Sequence, residues 1–174
     1  RYSVFSLWDT YRNLHQLMTL VYPEKQLDMV RSMVDIYKEW GWMPKWELFG
    51  RETFTMEGDP AIPVIADTWL KGLNDFDIES AYSAFLKSAM TPGAENMMRP
   101  DIDPYLEKGY VPLGMYSADP SGDNSVSHAL EYYIADYALS LLASDLGRKS
   151  DADRFRAQSL KYKCYYCPEY GTFR

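Results

Sequence analysis

Apolar residues recur along this chain with the spacing of helices and almost nowhere with the alternation of strands. Phe5, Leu7, Trp8, Tyr11, Leu14, Met18 and Val21 fall mostly three or four apart, which predicts a helix over residues 5–21. Pro23 suits a first helical position, where an N–H has no partner to lose. Leu27, Val30, Val34 and Tyr37 then line one side of a second helix, Glu24 to Glu39, ended by Gly41 and Pro44. A third helix is expected from Ala61 to Leu73. Asp77 reads as the N-cap of a fourth that reaches Met90, with Glu79 in its first turn. A fifth spans Ser125 to Leu146 and closes at Gly147. A sixth opens on Ser150-Asp-Ala-Asp, a capping-box variant, and runs to Tyr162. The nearest approach to alternation, Tyr110–Pro112, is too short to count as a strand.

Two irregular stretches interrupt the helices. Residues 41–57 are rich in Trp and charge. Residues 91–122 hold five prolines and four glycines, with room for one short helix at Pro104–Lys108. A loop this long in a compact domain is usually functional. The pattern predicts an all-α protein of antiparallel helical hairpins. No internal repeat is visible, which argues against a helical-repeat scaffold.

Composition narrows the function. The 174 residues suit a single globular domain with a sizeable core. Aromatics reach an unusual 16%; they fill cores, and ring faces also pack on the apolar faces of sugars. A net charge of −7 with no basic stripe disfavours nucleic acid and anionic membrane surfaces as partners. No run of about 18 apolar residues occurs, so no transmembrane helix is predicted. No signal peptide is visible. The chain opens on Arg1 and stops at Phe173-Arg174, and both ends are expected to continue in a longer protein. Cys164 and Cys167 form a C-x-x-C pair. A zinc site needs about four ligands and no second pair exists, so two incidental thiols or a local disulfide is the favoured reading.

Three segments carry candidate chemistry. On the fifth helix, at about 100° per residue, Leu130, Tyr133, Ile134, Tyr137, Ala138, Leu141 and Leu142 share one arc. Glu131 lies between Ala138 and Leu142 on that arc, whereas Asp136 falls on the opposite, solvated side. A carboxyl among apolar groups has its charged form disfavoured, as a general acid requires. The competing reading is a Glu at the arc's edge that reaches out or pairs with an Arg. In Leu-Trp-Asp-Thr-Tyr-Arg, residues 7–12, Asp9 and Arg12 stand one turn apart and can pair, readying a carboxylate for sugar hydroxyls; a surface ion pair is the alternative. Trp8 in that segment is a platform candidate, although such a Trp is more often core. In the loop, Trp40, Trp42 and Trp46 lie within seven residues, next to Lys45, Glu47, Arg51 and Glu52, either capping the helices or binding a polar ligand with an apolar face.

Together these segments resemble glycoside hydrolase family 92. FSLWDTYRNLHQLMTLVYPE is similar to the family's Trp-Asp-Thr-Phe-Arg segment. GWMPKWELFGRETFTMEGDPAIPVIADTWLKGL resembles a stretch with Pro-x-Trp, Glu-Thr, Gly-Asp/Tyr-His and Val-Ile-Ala-Asp. SVSHALEYYIADYALSLLASDLG resembles the Ser-Val-Ser-x-x-Leu-Glu-Tyr helix, and LKYKCYYCPEYGTF the segment near Asp-Pro-x-x-Gly-Phe. The four matches are collinear and cover nearly the whole chain.

The resemblance implies that residues 1–174 supply part of an (α/α)6 barrel. The N-terminal β-sandwich domain and the C-terminal part of the barrel would then lie elsewhere in the parent chain. It implies Ca²⁺-dependent removal of terminal α-mannose from glycans with inversion, in the periplasm or outside the cell. It assigns the general acid to Glu131 and hydroxyl binding to Asp9, with Trp8, Arg12, Trp46 and Glu52 as further substrate-binding candidates. The base and the main calcium ligands are expected after residue 174, near a Gly-Gln-Met-Ser segment, and no metal ligand is assigned here. Pro60 stands where the family often has His, which removes a donor and changes the backbone. Two alternatives share the architecture: a carbohydrate-binding or scaffold derivative without catalysis, and another inverting (α/α)6 glycosidase.

Overall fold

The computed structural model describes residues 1–114 and 124–173. The irregular stretch expected over 91–122 therefore lies outside the described residues from position 115 on. Helices dominate, as the periodicity predicts. In order they are α1 (Leu7–Thr10), α2 (Leu14–Val21), α3 (Pro23–Trp40), α4 (Ala61–Leu70), α5 (Ile78–Met90), α6 (Ile102–Lys108), α7 (Ser125–Asp145) and α8 (Lys149–Ser159).

Several boundaries come from local chemistry. Pro23 opens α3, and Gly41 ends it in the left-handed region at φ 81°. The Asp77 carboxylate accepts from the Ser80 amide at 3.1 Å and caps α5. The short helix of the irregular stretch begins two residues before Pro104, at Ile102, and closes at Gly109 with φ 86°.

Other boundaries differ from expectation. The helix predicted over residues 5–21 is two helices, broken at residues 11–13. Residues 5–7 are drawn into an extended pairing with the loop: the Leu7 amide donates to Lys45 O and the Glu47 amide to Phe5 O, both at 2.9 Å. The third helix stops at Leu70 rather than Leu73. α8 starts at Lys149 with no side-chain cap, so the expected capping box at Ser150 does not form, and the chain tightens into a 3₁₀ turn, Leu160–Tyr165. Two small hairpins were not foreseen. β1 (Glu47–Leu48) pairs with β2 (Arg51–Glu52), and β3 (Tyr166–Cys167) with β4 (Thr172–Phe173).

The main core gathers Leu7, Val30, Met33, Ile62, Ile65 and Phe85 with Ala135, Leu139, Leu142 and Ala143 of α7, and a second cluster joins Ala129, Tyr132 and Tyr133 to Ile102, Tyr105 and Tyr165. A buried polar chain ties the main core's first helices together. His15 bonds Gln26 Oε1 through Nδ1 at 3.0 Å, and Gln26 Nε2 donates to Thr68 Oγ1 at 2.9 Å. Burial pulls the His15 pKa below its usual 6.5, so the ring is neutral at that junction.

α7 corrects the helical wheel. The face turned inward carries His128, Tyr132, Asp136 and Ser140 beside Ala129, Leu139 and Leu142. Ile134, Tyr137 and Leu141, assigned to the apolar arc, are 45%, 43% and 41% exposed. Asp136, assigned to solvent, is 1% exposed. The cause is that these polar groups are paired: a buried polar side chain is tolerated where its hydrogen bonds are met.

Candidate active site

Glu131 sits where three segments meet. Its side chain, 13% exposed, accepts from the Tyr11 hydroxyl at 2.6 Å through Oε2 and from Arg12 Nη2 at 2.9 Å through Oε1. Both donors come from the turn between α1 and α2, which the pairing of residues 5–7 with the loop holds in place. The Arg12 guanidinium lies over the rings of Trp8 and Tyr11, at 4.7 and 4.9 Å from their centroids. The third segment is the Gly58 turn, packed so close to the base of the Glu131 side chain that a Cβ on Gly58 would stand 2.8 Å from Glu131 Cβ. Burial and the bond to Glu131 push the Tyr11 pKa far above its usual 10, so this hydroxyl stays a donor. Arg12 therefore pairs with Glu131 rather than with Asp9. The helix that would have stacked Asp9 and Arg12 one turn apart ends at Thr10.

The other candidates divide. Asp9 is exposed and accepts from Ser6 Oγ at 2.7 Å. Trp8 is half-buried, and its indole N–H is buried without an acceptor among the described residues. Ser6 bridges to Trp46, which brings the half-buried Trp46 to the start of the Trp8–Asp9 segment. Glu52 is buried, and its carboxylate accepts from the amides of Lys45, Trp46 and Phe54 at 2.6 to 3.1 Å. It thus ties the loop's own backbone together. Of the remaining loop tryptophans, Trp42 lies beneath the Lys87 ammonium, 4.1 Å from the ring centroid.

Below Glu131 lies a layer of buried charge that the sequence did not announce. Arg99 is fully buried and grips Asp59 with Nε and Nη2, at 3.0 and 3.1 Å. Its Nη2 also lies 2.8 Å from Asp136 Oδ1, as an ion pair off the hydrogen-bond angle, while Nη1 has no acceptor among the described residues. Tyr105 OH donates to Asp136 Oδ2 at 2.7 Å, and Ser88 Oγ to Asp59 Oδ2 at 2.8 Å. His128 and Tyr132 both bond Asp101. Burial pushes the Asp136 carboxyl up, against the pull of Arg99. Burial likewise works against Asp101, but its two donors outweigh it and its pKa is lowered. Lys45 is buried too, donating to Met98 O at 3.0 Å and Met56 O at 3.2 Å, and desolvation brings it down to about 8.

No group of three or more His, Cys, Asp or Glu side chains able to hold a metal converges among the described residues. A Ca²⁺ ion takes six to eight oxygens. The oxygens of Asp59, Asp101 and Asp136 are already engaged by Arg99, His128 and tyrosines, so these residues do not fit a calcium cage. Cys164 and Cys167 are free thiols rather than a disulfide. A cavity of about 490 Å³ lies between α7 and the end of α8, lined by Leu130, Tyr133, Ile134, Tyr137, Arg156, Ser159, Leu160 and Tyr162, without a carboxylate.

The helices here hold a mostly buried carboxyl beside stacked aromatic and guanidinium groups. The chain matches the glycosyl hydrolase family 92 catalytic domain over residues 1–174. It belongs to that family, and its all-α fold is part of an (α/α)6 barrel. An inverting family GH92 mannosidase from Bacteroides thetaiotaomicron superposes with a TM-score of 0.86 at 30% identity, covering 99% of this chain and 23% of that one. A family GH92 α-mannosidase from the same organism, solved with mannoimidazole, gives 0.86 at 36% identity, covering 100% and 22%. An uncharacterized secreted glycosidase of Arthroderma benhamiae is 30% identical over 133 residues, 74% of this chain and 17% of that protein. The chain thus spans about a fifth of the length of these relatives. No described helix is long and apolar enough to cross a membrane.

Proposed function

We propose that these residues form the acid-bearing part of an inverting exo-α-mannosidase, with Glu131 as the general acid. The observation that carries the reading is the burial of Glu131, whose side chain is 13% exposed at the meeting of three segments with its Oε2 oriented by Tyr11. Inversion needs an acid at the leaving oxygen and, about 6.5–9.5 Å away, a carboxylate that activates water. Tyr11 keeps Oε2 occupied. Paired with Oε1, Arg12 favours the charged carboxylate, so on this reading its half-exposed side chain gives way to the glycosidic oxygen when substrate binds. Asp9, exposed next to Trp8, accepts hydroxyls of the terminal mannose, and Trp46 borders the same segment.

On this reading the base, the β-sandwich domain and the rest of the barrel belong to the parent protein beyond these residues. So do the ligands of any Ca²⁺ ion. A secreted site of action fits the secreted relative. The Arg12–Glu131 pair favours one competing reading, a sugar-binding barrel in which that carboxylate is a structural tie. The test is release of mannose from α-mannobiosides by the natural full-length protein, with calcium or chelator, for wild type and Glu131→Gln. A loss of about 10²–10⁴-fold in the variant is expected. Undiminished activity in the variant would move the acid elsewhere, and a folded but inactive wild type would favour the binding barrel.

A further inference from the structure

We infer that Gly58 is a positioning residue for Glu131, held against it by the buried Asp59–Arg99–Asp136 pairing. The inference rests on Glu131 being the acid.

Gly58 lies at φ +77°, a conformation that side chains resist, and a Cβ there would stand 2.8 Å from Glu131 Cβ and 3.7 Å from Oε2. The Gly58 backbone is therefore a wall against the base of the carboxyl-bearing side chain. A wall positions only if it is fixed, and the next residue fixes it. Asp59 is held by Nε and Nη2 of Arg99 and by Ser88 of α5. The same guanidinium reaches Asp136, five residues after Glu131 on α7. One buried cation thus couples the Gly58 turn to the helix that carries the acid. Asn96 anchors the cation's own segment: its Oδ1 accepts from the Arg99 amide at 3.1 Å, and its Nδ2 donates to Ser88 O at 2.9 Å. With Tyr11 on Oε2 at the tip of the carboxyl and Gly58 at its base, the rotamer of Glu131 is held from both ends even when Arg12 leaves Oε1.

The test compares two substrates of the natural full-length protein. An α-mannobioside needs its leaving oxygen protonated, whereas a dinitrophenyl α-mannoside departs without an acid. Glu131→Gln should lose about 10²–10⁴-fold in kcat on the mannobioside and far less on the dinitrophenyl substrate. Gly58→Ala should repeat that selective pattern, with about 10–100-fold lost on the mannobioside, because misplacement by about 1 Å costs on that order. Asp59→Asn, which loosens the clamp and leaves the Gly58 backbone unstrained, should show a smaller loss of the same selectivity. It decides the matter if Gly58→Ala does not fold. Equal losses on both substrates, or none on the mannobioside, overturn the positioning role. If Glu131→Gln itself shows no leaving-group selectivity, the acid assignment fails first and the positioning claim falls with it.

Discussion

Truncating Asp136 to Ala measures how α7 is turned. On a helical wheel Asp136 belongs to solvent, where such a change shifts stability by no more than about 0.5 kcal/mol. In the structure it is 1% exposed, 2.8 Å from Arg99 Nη2, and accepts the Tyr105 hydroxyl at 2.7 Å. Removing it leaves Asp59 as the only ion-pair partner of Arg99 among the described residues and strips a buried tyrosine of its acceptor. A hydrogen bond to a charged group is worth about 1.5–3 kcal/mol. Breaking a buried ion pair from one side costs roughly 3–5 kcal/mol, because the other charge is left behind. The assay is urea unfolding at pH 7 followed by far-UV circular dichroism, with the exposed Asp153→Ala as control. With a slope of about 2 kcal/mol per molar urea, Asp136→Ala should lower the midpoint by about 1.5–2.5 M. Asp136→Asn keeps the shape and loses the charge, so it should fall between. A midpoint for Asp136→Ala within about 0.3 M of both wild type and the control would refute the buried pairing.

Stability should rise with pH in the alkaline range because of Lys45. Its pKa lies at about 8 in the folded chain against 10.5 ordinarily, so between those values the unfolded chain holds a proton that the folded chain has shed. The gain from pH 7 to pH 9 is about 1 kcal/mol at 1.36 kcal/mol per pKa unit. It should be absent in Lys45→Met and reverse above pH 10, where Tyr105 and Tyr132 keep protons that their unfolded forms lose. Urea midpoints at pH 7, 9 and 10.5 check all three points. Cys164 and Cys167 should both react with a thiol reagent in the native protein, exposed Cys164 faster than half-buried Cys167. Loss of the fast phase in Cys164→Ser is the expected result, and a native chain without reactive thiol would contradict it.

What the sequence made legible was local. A cap at Asp77, glycines after α3 and α7, and Pro23 at a first turn each act within a few residues, and each marks a boundary to within a residue or two. The start of the first helix at Leu7 rather than Phe5 was not legible, because residues 5–7 pair with the loop around Lys45, some forty residues away. Arg99 was invisible for the same reason. In Asn-Met-Met-Arg-Pro-Asp it has no periodic neighbours, and its carboxylates lie 40 residues before it and 37 after. Glu131 stood out in the sequence, yet the groups that hold its carboxyl are Tyr11 and Arg12, from the other end of the chain, rather than the apolar arc the wheel put around it.

α7 shows why a wheel misassigns such a helix. The method presumes one apolar face and one wet face. α7 has apolar residues on both sides: Ala129, Leu139 and Leu142 inward, Ile134, Tyr137 and Leu141 outward. A helix in the wall of a barrel has neighbours on more than one side, so hydrophobicity does not say which side faces which layer. The polar residues decide, because only one rotation meets their needs. His128 and Tyr132 must reach Asp101, and Asp136 must reach Arg99 and Tyr105. These positions are four apart and form one stripe. Satisfying that stripe turns Glu131 toward Tyr11, Arg12 and Gly58. The residues that look out of place in a core are thus the ones that aim the carboxyl.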